Sequence, residues 1–402
     1  MAGRHERASK HLRLGDGLPF REPPAAPPKI SLSHLLLIFL KIGSIGFGGG
    51  MAIISIMERE LVRKRKLLPL DEFLHGVGFG QILGSFAINA SLFVGYRLFG
   101  ILGGILSAVA FLFPSLALVI ALSHLYFRFH AIPALQGAVA GLSPVVIALI
   151  VEAGWSIGGR VLRSPLAFAV AVVALASGFL KVNALWVLLG AGAVGLVMTR
   201  SRIDPPEKTD GKATQPFAMA ALGPALAAGS SLGALAATFL KVGLVFFGGG
   251  FVLVPVLHHR LVTDLHWLTA REFIDGVAIS NLTPGPIAVL ATFAGYHLAG
   301  IPGALVATAA LMTPAVLLML AITHQYERFR HDSRAQGLLS ALNPAITGLI
   351  LSTAILLGGG VLTSWQRWLF GAACLLTLRR LHWPPVILLG IGAIAGYAGL
   401  LP

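Results

Sequence analysis

The sequence predicts an all-α polytopic membrane protein built from two tandem homologous halves, and three observations support this. Only 11% of the 402 residues are charged, 56% are hydrophobic and the mean hydropathy is +0.84, whereas a soluble domain carries roughly 25% charged residues. Several apolar segments have about the 20 residues that a membrane crossing needs. Residues of one half recur in the other at a constant offset of 200 positions. An ordinary water-soluble enzyme and a disordered chain are therefore excluded.

The basic charge fits this class of protein. Thirty Lys and Arg against sixteen Asp and Glu leave a net charge of +14, and membrane proteins collect Lys and Arg in their cytoplasmic loops. We therefore expect the lipid bilayer, and no nucleic acid, as the partner of this basic chain. The single cysteine, Cys374, excludes an intrachain disulfide and a cysteine metal cluster. No metal site and no cofactor are expected.

Two polar stretches divide the chain. Residues 1–30 are polar and end in prolines, which predicts a tail, and 200–216 is the long hydrophilic interruption of the interior, which predicts a linker. The expected transmembrane repeats are then 31–199 and 217–402.

The two repeats align without a gap, and about a third of positions 39–150 are identical to their mates. Shared residues include a Phe-Leu-Lys run, a glycine triplet, Gly-Tyr pairs, prolines and a His-x-Tyr-x-Arg pattern: Lys41 and Lys241, Tyr96 and Tyr296, Pro114 and Pro314, His124 and His324, Arg128 and Arg328. Tandem membrane halves are typical of secondary transporters, whose binding site lies at the interface of the repeats.

Each half is expected to cross the membrane about five times. In the first half the segments of spanning length lie near 32–57, 99–123, 134–157, 164–180 and 183–199. Residues 71–96 fit a span less well because glycines and polar residues interrupt them, and their mates carry Pro284-Gly285-Pro286, which breaks a helix. At 71–96 and 271–296 we expect two short helices that meet at a break, a re-entrant helical hairpin.

Loop charges indicate that the halves are inverted repeats. The 58–71 loop has five Lys and Arg and its mate 258–271 has two, whereas the 124–133 loop has one and its mate 324–335 has three. Five crossings, an odd number, also invert the second half. The 58–71 loop would then face the cytoplasm. This places the basic tail outside, unless 32–57 is itself a hairpin in the first half only.

Lys41 and Lys241 form a repeated basic pair inside the first span of each half. A charge at bilayer depth costs at least about 2.5–3.5 kcal/mol on insertion scales, so an intramembrane lysine is a functional candidate. One interpretation is contact with a substrate, and the other is snorkelling of the side chain to the interface.

Each half also carries one glycine triplet: Gly48, Gly49 and Gly50, and Gly248, Gly249 and Gly250. Small residues allow close helix packing; alternatively, the triplets unwind a helix so that backbone amides bind an anion. The neighbouring lysines favour the anion.

A second set of backbone donors is expected after the Pro284-Gly285-Pro286 break. A helix starting at Pro286 would leave the amides of Ile287 to Val289 free. Neutral side chains near the two breaks would add donors: Gln81, Ser85, Asn89 and Asn281.

Three residues are candidates for proton coupling. Of the sixteen acids, only Glu152 is expected deep inside a span; its mate is Ser352, and a local hydrogen-bonded role is the alternative to a proton relay. His124 and His324 are expected at the ends of spans, either as interfacial anchors or as titrating groups.

The Phe-Leu-Lys-x-Gly-x-x-x-Phe-Gly-Gly-Gly stretches, the run Asn281-Leu282-Thr283-Pro284-Gly285-Pro286 and the Gly-Tyr-x-x-x-Gly at 95–100 and 295–300 resemble the chromate ion transporter family, in its long two-domain form. The resemblance covers nearly all of 32–402. It implies a bacterial inner-membrane, multi-pass protein that exports chromate. The first half differs at Gly84-Ser85-Phe86, where the family commonly carries Pro-Gly-Pro.

The sequence therefore favours a secondary transporter that exports chromate or a sulfate-like tetrahedral oxyanion, driven by the membrane potential or by ion coupling. An anion channel, or a transporter of another small anion, is the alternative. A membrane enzyme is disfavoured because no combination of nucleophile, base and metal ligands occurs. Whether the chain forms a homo-oligomer is left open.

Overall fold

The structure, a computed structural model, describes residues 30–47, 50–129, 133–180, 182, 186–193, 231–246, 250–324 and 333–401. Its described part is all-helical, with fourteen helices and no strand in those ranges. The expected linker, 200–216, lies outside the described residues, and so does the expected tail apart from Ile30.

The described residues of the first half form seven helices. They are α1 Leu32–Ile45, α2 Gly50–Met57 with a π-helical continuation Glu58–Lys64, α3 Leu70–Ile82, α4 Phe86–Phe129, α5 Pro133–Val161, α6 Pro165–Phe179 and α7 at 186–193. Local sequence explains several starts: the Ser31 hydroxyl accepts from the amide of His34, and Ser164 caps α6, whose first residue is Pro165.

The second half repeats this order. Its helices are α8 Ser231–Gly243, α9 Leu253–His258 with a 3₁₀ turn Gly250–Val252 before it and a π-helical stretch His259–Asp264 after it, α10 Ala270–Leu282, α11 Leu290–His324 with a preceding 3₁₀ turn Ile287–Val289, α12 Ser333–Val361, α13 Trp365–Arg380 and α14 Pro385–Tyr397. Thr269 and Glu272 form a capping box at the start of α10.

Four stretches are long and apolar enough to span a bilayer among the described residues: Ala87–Phe129, Gln136–Val161, Ile287–His324 and Leu342–Val361. Two of them are not straight. The backbone leaves helical geometry at Phe99–Gly100 and at Ala299–Gly300, where both glycines have positive φ. Gly95 lies directly against Gly103, and Gly295 against Gly303, so α4 and α11 each fold back on themselves at the break and have two arms. The second arms, 101–129 and 301–324, make the crossings.

The re-entrant hairpin expected at 71–96 is present. α3 and the first arm of α4 (86–98) run antiparallel, since Gly76 packs on Phe93 and the Asn89 Nδ2 donates to the carbonyl of Gly80 at 3.4 Å. Each arm has about 13 residues and is about 20 Å long, which is too short for the roughly 30 Å hydrocarbon layer. α10 and the chain after Pro286 form the same hairpin in the second half, where Gly276 packs on Phe293.

Residues 32–57, expected as one crossing, also form a hairpin. Two contacts show it: Gly46 packs on Ile53 near the tip, and the Arg65 Nη1 lies 2.9 Å from the His34 Nε2 at the open end. The break lies between Ile45 and Gly50; Gly50 is the last residue of the glycine triplet, and glycine disfavours helical backbone. α8 and α9 lie at the mate positions of α1 and α2, are separated by a break after Gly243, and contact each other. Each half therefore begins with two hairpins.

The halves are inverted. Gly154 of α5 lies against Leu351 of α12, and Gly158 against Thr347, so these mates run antiparallel. Mates that run antiparallel are related by a two-fold axis perpendicular to the helices, which is an axis in the membrane plane. The inversion therefore follows from packing. Because residues 32–57 form a hairpin, they do not supply the first of the five crossings expected for the first half. The path of 194–230 lies outside the described residues.

The inversion gives the hairpins opposite openings. We call face 1 the side where the first-half hairpin opens, near Glu72 and Arg97, and face 2 the side of Glu272 and Tyr296. The second arm of α4 (101–129) runs from face 1 to face 2, because Tyr126 near its end is hydrogen-bonded to Asp275 of α10. All hairpins therefore point their tips inward.

Candidate functional site

The hairpin tips of both halves meet at the centre of the molecule. The Gly285 amide donates to the Gly46 carbonyl at 3.0 Å, which joins a tip of the second half to a tip of the first. The pseudo-symmetric contact also exists: Gly84 lies directly against the backbone of Phe246, the mate of Gly46. We call these residues, with Ser85, Ser115, Pro284 and Pro286, the tip cluster.

The tip cluster lies near the middle of the membrane. The Ser115 hydroxyl donates to the Pro284 carbonyl. Ser115 is fourteen residues from either end of the arm 101–129, or about 21 Å from each end at 1.5 Å per residue. Irregular backbone at such depth is tolerated only where protein or a water-filled cavity covers it.

Carbonyl groups at the tips are already occupied by protein donors. Each hairpin brings the carboxyl end of its first helix and the amino end of its second helix to the cluster. The carbonyls of Gly46 and Pro284 are bonded as described, and the Thr283 hydroxyl donates to the Ser280 carbonyl at 2.9 Å. The negative ends of these helices are therefore largely satisfied.

Amide groups at the tips are less well satisfied. The first amides of a helix have no acceptor within it, and Pro286 provides no side-chain cap. Ile287 and Ala288 are buried, and their amides have no acceptor among the described residues. The Val289 amide, expected to be free, donates to the Pro286 carbonyl at 3.2 Å. This excess of donors suits an anion.

Two predicted neutral side chains are buried at the first-half tip. Ser85 is 4% exposed and its hydroxyl has no partner among the described residues. Asn89 donates to the carbonyls of Gly80 and Leu83, and its Oδ1 is buried without such a partner. A buried hydroxyl without a hydrogen-bond partner costs free energy, and a bound ligand with acceptor oxygens would remove this cost.

The other predicted anion-binding residues are distributed as follows. Gly50 and Gly250 begin the second helices of the first hairpins, while Gly48, Gly49, Gly248 and Gly249 lie outside the described residues. Gln81 lies on α3 near its end. The Asn281 Nδ2 donates to the Val277 carbonyl of its own helix at 2.8 Å, so this donor caps the helix in the present structure.

Lys41 and Lys241 are exposed on α1 and α8. Each lies in the inner part of its helix, four residues before Ile45 in α1 and two before Gly243 in α8. This places both much closer to the tip end than to the open end of the hairpin. Lys41 shares the exposed side of α1 with Leu37 and Ser44.

The two predicted histidines connect the halves. The Nδ1 of His124 lies 2.7 Å from the Tyr296 hydroxyl, and the Nδ1 of His324 lies 2.9 Å from the Tyr96 hydroxyl. Glu152 is half-buried on α5. None of the three belongs to the tip cluster.

One buried acid was missed by the sequence analysis. Asp275 is 1% exposed on α10, so the protein buries this acid although it lies outside the segments expected as spans. The Tyr126 hydroxyl donates to its Oδ2 at 2.7 Å. One sequence signal could have pointed to Asp275. It lies five residues after the start of α10, inside the predicted re-entrant hairpin, where an acid is more easily buried than at a helix edge.

A cavity of about 240 Å³ lies apart from the tip cluster, between α6, α9 and α12. His258, Ser352 and Thr353 are among its lining residues. Among the described residues no group of three His, Cys, Asp or Glu side chains could hold a metal ion.

Comparison with known proteins identifies the family. The family model described as Chromate transporter matches residues 33–196 and 233–397, one match per half. The chain belongs to the chromate transporter family. It is thus a multi-pass membrane protein of a transporter family.

Members of the chromate transporter family from several bacteria are similar along most of their length. The probable chromate transport protein of Synechococcus elongatus is 30% identical, over 92% of this chain and 96% of its own. The chromate transport proteins of Cupriavidus metallidurans and Pseudomonas aeruginosa are 29% and 31% identical, each over 82% of this chain and 83% and 82% of their own. No solved structure matches the chain.

Proposed function

We propose that the protein is a secondary transporter that exports chromate, or a sulfate-like tetrahedral oxyanion, across the bacterial inner membrane. The observation that carries the proposal is the tip cluster, where inverted hairpins meet and the buried amides of Ile287 and Ala288 have no acceptor among the described residues. The names of the relatives support chromate as the anion.

The arrangement fits alternating access. A site between two inverted halves opens to either face when one half moves against the other. Contacts between the halves at the cluster include polar ones, such as the Gly285 amide to the Gly46 carbonyl, and a movement of the hairpins that breaks them would expose the anion to one side. A dianion in this site would be held by backbone amides and by the Ser85 hydroxyl.

Membrane potential favours export. With a negative cytoplasm, moving two negative charges outward releases roughly 4.6 kcal/mol per 100 mV. The sequence contains no phosphate-loop motif for ATP, so the potential or a coupled ion would supply the energy. The basic loop at 58–71 supports a cytoplasmic position for face 1 by the positive-inside rule.

A proteoliposome assay tests this function. Purified protein is reconstituted, a potassium diffusion potential of either sign is imposed, and radiolabelled chromate uptake is measured with sulfate as competitor. We expect saturable uptake that is faster with a positive interior. Flux proportional to chromate concentration would indicate a channel instead, and uptake equal to that of empty vesicles would refute chromate as the substrate.

A further inference from the structure

Asp275 is a buried acid that the anion site does not use. It lies on α10, the first helix of the second-half hairpin, and is 1% exposed. About 10 Å of helix separates it from the tip at Leu282. Its mate in the first half is His75, so the repeated fold does not require a carboxyl group at this position.

Its direct partner comes from the other half of the protein. The Tyr126 hydroxyl of α4 donates to the Asp275 Oδ2 at 2.7 Å, and the Tyr126 ring packs on Phe293 of the same hairpin at 5.6 Å between centroids. Asp275 therefore joins a hairpin arm of the second half to a crossing helix of the first. A change at this carboxyl would alter how the hairpin packs on α4.

The second oxygen of the carboxyl is unpaired. Oδ1 is buried and accepts no hydrogen bond from the described residues. An ionised carboxylate with one unsatisfied oxygen in such a place is costly, and taking up a proton removes the charge. Ionisable residues within membrane segments commonly mark ion or proton pathways for this reason.

Other ionisable groups lie on α10 and on the helices packed against it, but among the described residues none forms a salt bridge with Asp275. Arg271 and Glu272, of opposite charge, lie on the same helix. The packed elements carry the following ionisable side chains: Tyr96, Arg97, His124, Tyr126 and Arg128 of α4; Glu152 and Arg160 of α5; His258 of α9; Tyr296, His297 and His324 of α11; and Tyr397 of α14. Residues 287–289 and 342–361 contribute none.

We propose that Asp275 is the proton-binding group of this transporter, and that it takes up one proton when an oxyanion occupies the tip cluster. This inference rests on the proposed function. A negative charge at Asp275 repels a dianion at the tip of the same hairpin, so protonation of the carboxyl strengthens anion binding. By linkage, anion binding strengthens proton binding by the same factor. A dianion moved with one proton carries one net negative charge, which the membrane potential still drives outward.

Wild-type protein and Asp275→Asn are compared in proteoliposomes with chromate as the probe. The KM for chromate is measured between pH 6 and 8 at a clamped potential, and a trapped pH dye records proton movement. In the wild type we expect KM to rise with pH, by up to about tenfold per pH unit, the limit for one linked proton. In Asp275→Asn, which resembles the protonated state, KM should stay near the low-pH value and chromate flux should proceed without proton movement.

Two controls make the comparison specific. Chromate itself takes up a proton in weakly acidic solution, so the difference between the two proteins at each pH reports on Asp275. His75→Gln, at the mate position, should keep the wild-type pH dependence. If Asp275→Asn fails to insert, Tyr126→Phe replaces it: this variant removes the hydrogen bond to the carboxyl and should move the rise of KM to higher pH, and an unchanged pH dependence would overturn the role of Asp275.

The outcomes separate the two proposals. Chromate flux without proton movement in the wild type, or an unchanged pH dependence of KM in Asp275→Asn, overturns the role of Asp275 and leaves chromate transport standing. Absence of chromate flux in the wild type overturns the proposed function, and the role of Asp275 with it.

Discussion

The Nδ1 of His124 and the Tyr296 hydroxyl lie 2.7 Å apart, and their pseudo-symmetric mates His324 and Tyr96 lie 2.9 Å apart. Each half thus gives a histidine to the tyrosine of the other. Because the halves are inverted, the His124 pair lies at face 2 and the His324 pair at face 1. The two bonds tie the ends of α4 and α11 to the opposite hairpins.

Separating His124 from Tyr296 should show an energetic coupling between the halves. His124→Ala and Tyr296→Phe each remove the bond, so their destabilising effects should be non-additive by about 0.5–1.5 kcal/mol, the net contribution of one hydrogen bond. The measurement is a double-mutant cycle on unfolding in detergent.

His124 and Tyr96 form the matched control pair. They have the same residue types, but each is bonded to a residue of the second half and not to the other. Their effects should add. Equal coupling in both cycles would mean that the bond contributes nothing specific.

Gly285 should not tolerate a side chain. Its φ is +122°, which is strained for an L-residue by about 1–3 kcal/mol, and an added Cβ would overlap the Ser115 hydroxyl. Gly285→Ala should therefore weaken chromate transport at least tenfold and lower the melting temperature.

Gly359→Ala is the control for this substitution. Gly359 lies in α12 with no neighbour near its Cβ position and without a positive φ. It should keep parental transport and stability. Parental transport in Gly285→Ala would argue against a functional tip cluster.

Much of the fold was predictable because identical residues reveal the repeat and glycine and proline reveal the helix breaks. The break at Pro284-Gly285-Pro286 follows from two missing amide donors, and the structure confirms the hairpin there. The first hairpin was harder, because residues 32–57 are apolar enough to read as one span. A glycine triplet permits both a packed helix and a tip, and the contacts of Gly46 with Ile53 and of Arg65 with His34 decide.

The buried polar residues at and near the tip cluster were partly predictable. Ser85 and Asn89 were predicted because neutral side chains near a helix break can add hydrogen-bond donors, and both are buried at a tip. Asp275 was missed because its burial depends on α4, which is 149 residues earlier in the chain. Such long-range packing leaves no local pattern in a single sequence.

Residues at the mate positions 66 and 266 should be accessible from opposite sides of the membrane. Lys66 and His266 are exposed in the loops before α3 and α10, at the open ends of hairpins that open to opposite faces. Lys66→Cys and His266→Cys are made in a Cys374→Ser background, since Cys374 is the single cysteine.

Labelling of intact cells and of inverted vesicles with an impermeant maleimide gives the sidedness. We expect position 266 to react in intact cells and position 66 in inverted vesicles, because the loop of Lys66 carries the larger basic charge. Reaction of both positions from one side would contradict the inverted repeat.

Lys41 and Lys241 test whether charge, as well as backbone, holds the anion. A buried dianion needs compensating positive charge, because an unpaired ion away from water costs several kcal/mol. A helix end supplies only about half a unit of positive charge, so two helix ends leave about one negative charge of the dianion uncompensated, and the lysines would supply the rest. Both lysines lie in the inner part of their helices, toward the tip cluster.

Methionine is the informative substitution, because it keeps most of the apolar stem and removes the charge. Lys41→Met and Lys241→Met should each abolish chromate transport in proteoliposomes while membrane expression stays at the parental level. Lys→Arg at either position should retain part of the activity, since the charge remains but its geometry changes. Leu37→Met, on the same exposed side of α1, is the control and should transport normally. If both Lys→Met variants transport at the parental rate, the lysines are interfacial anchors, and backbone amides and hydroxyl groups alone hold the anion.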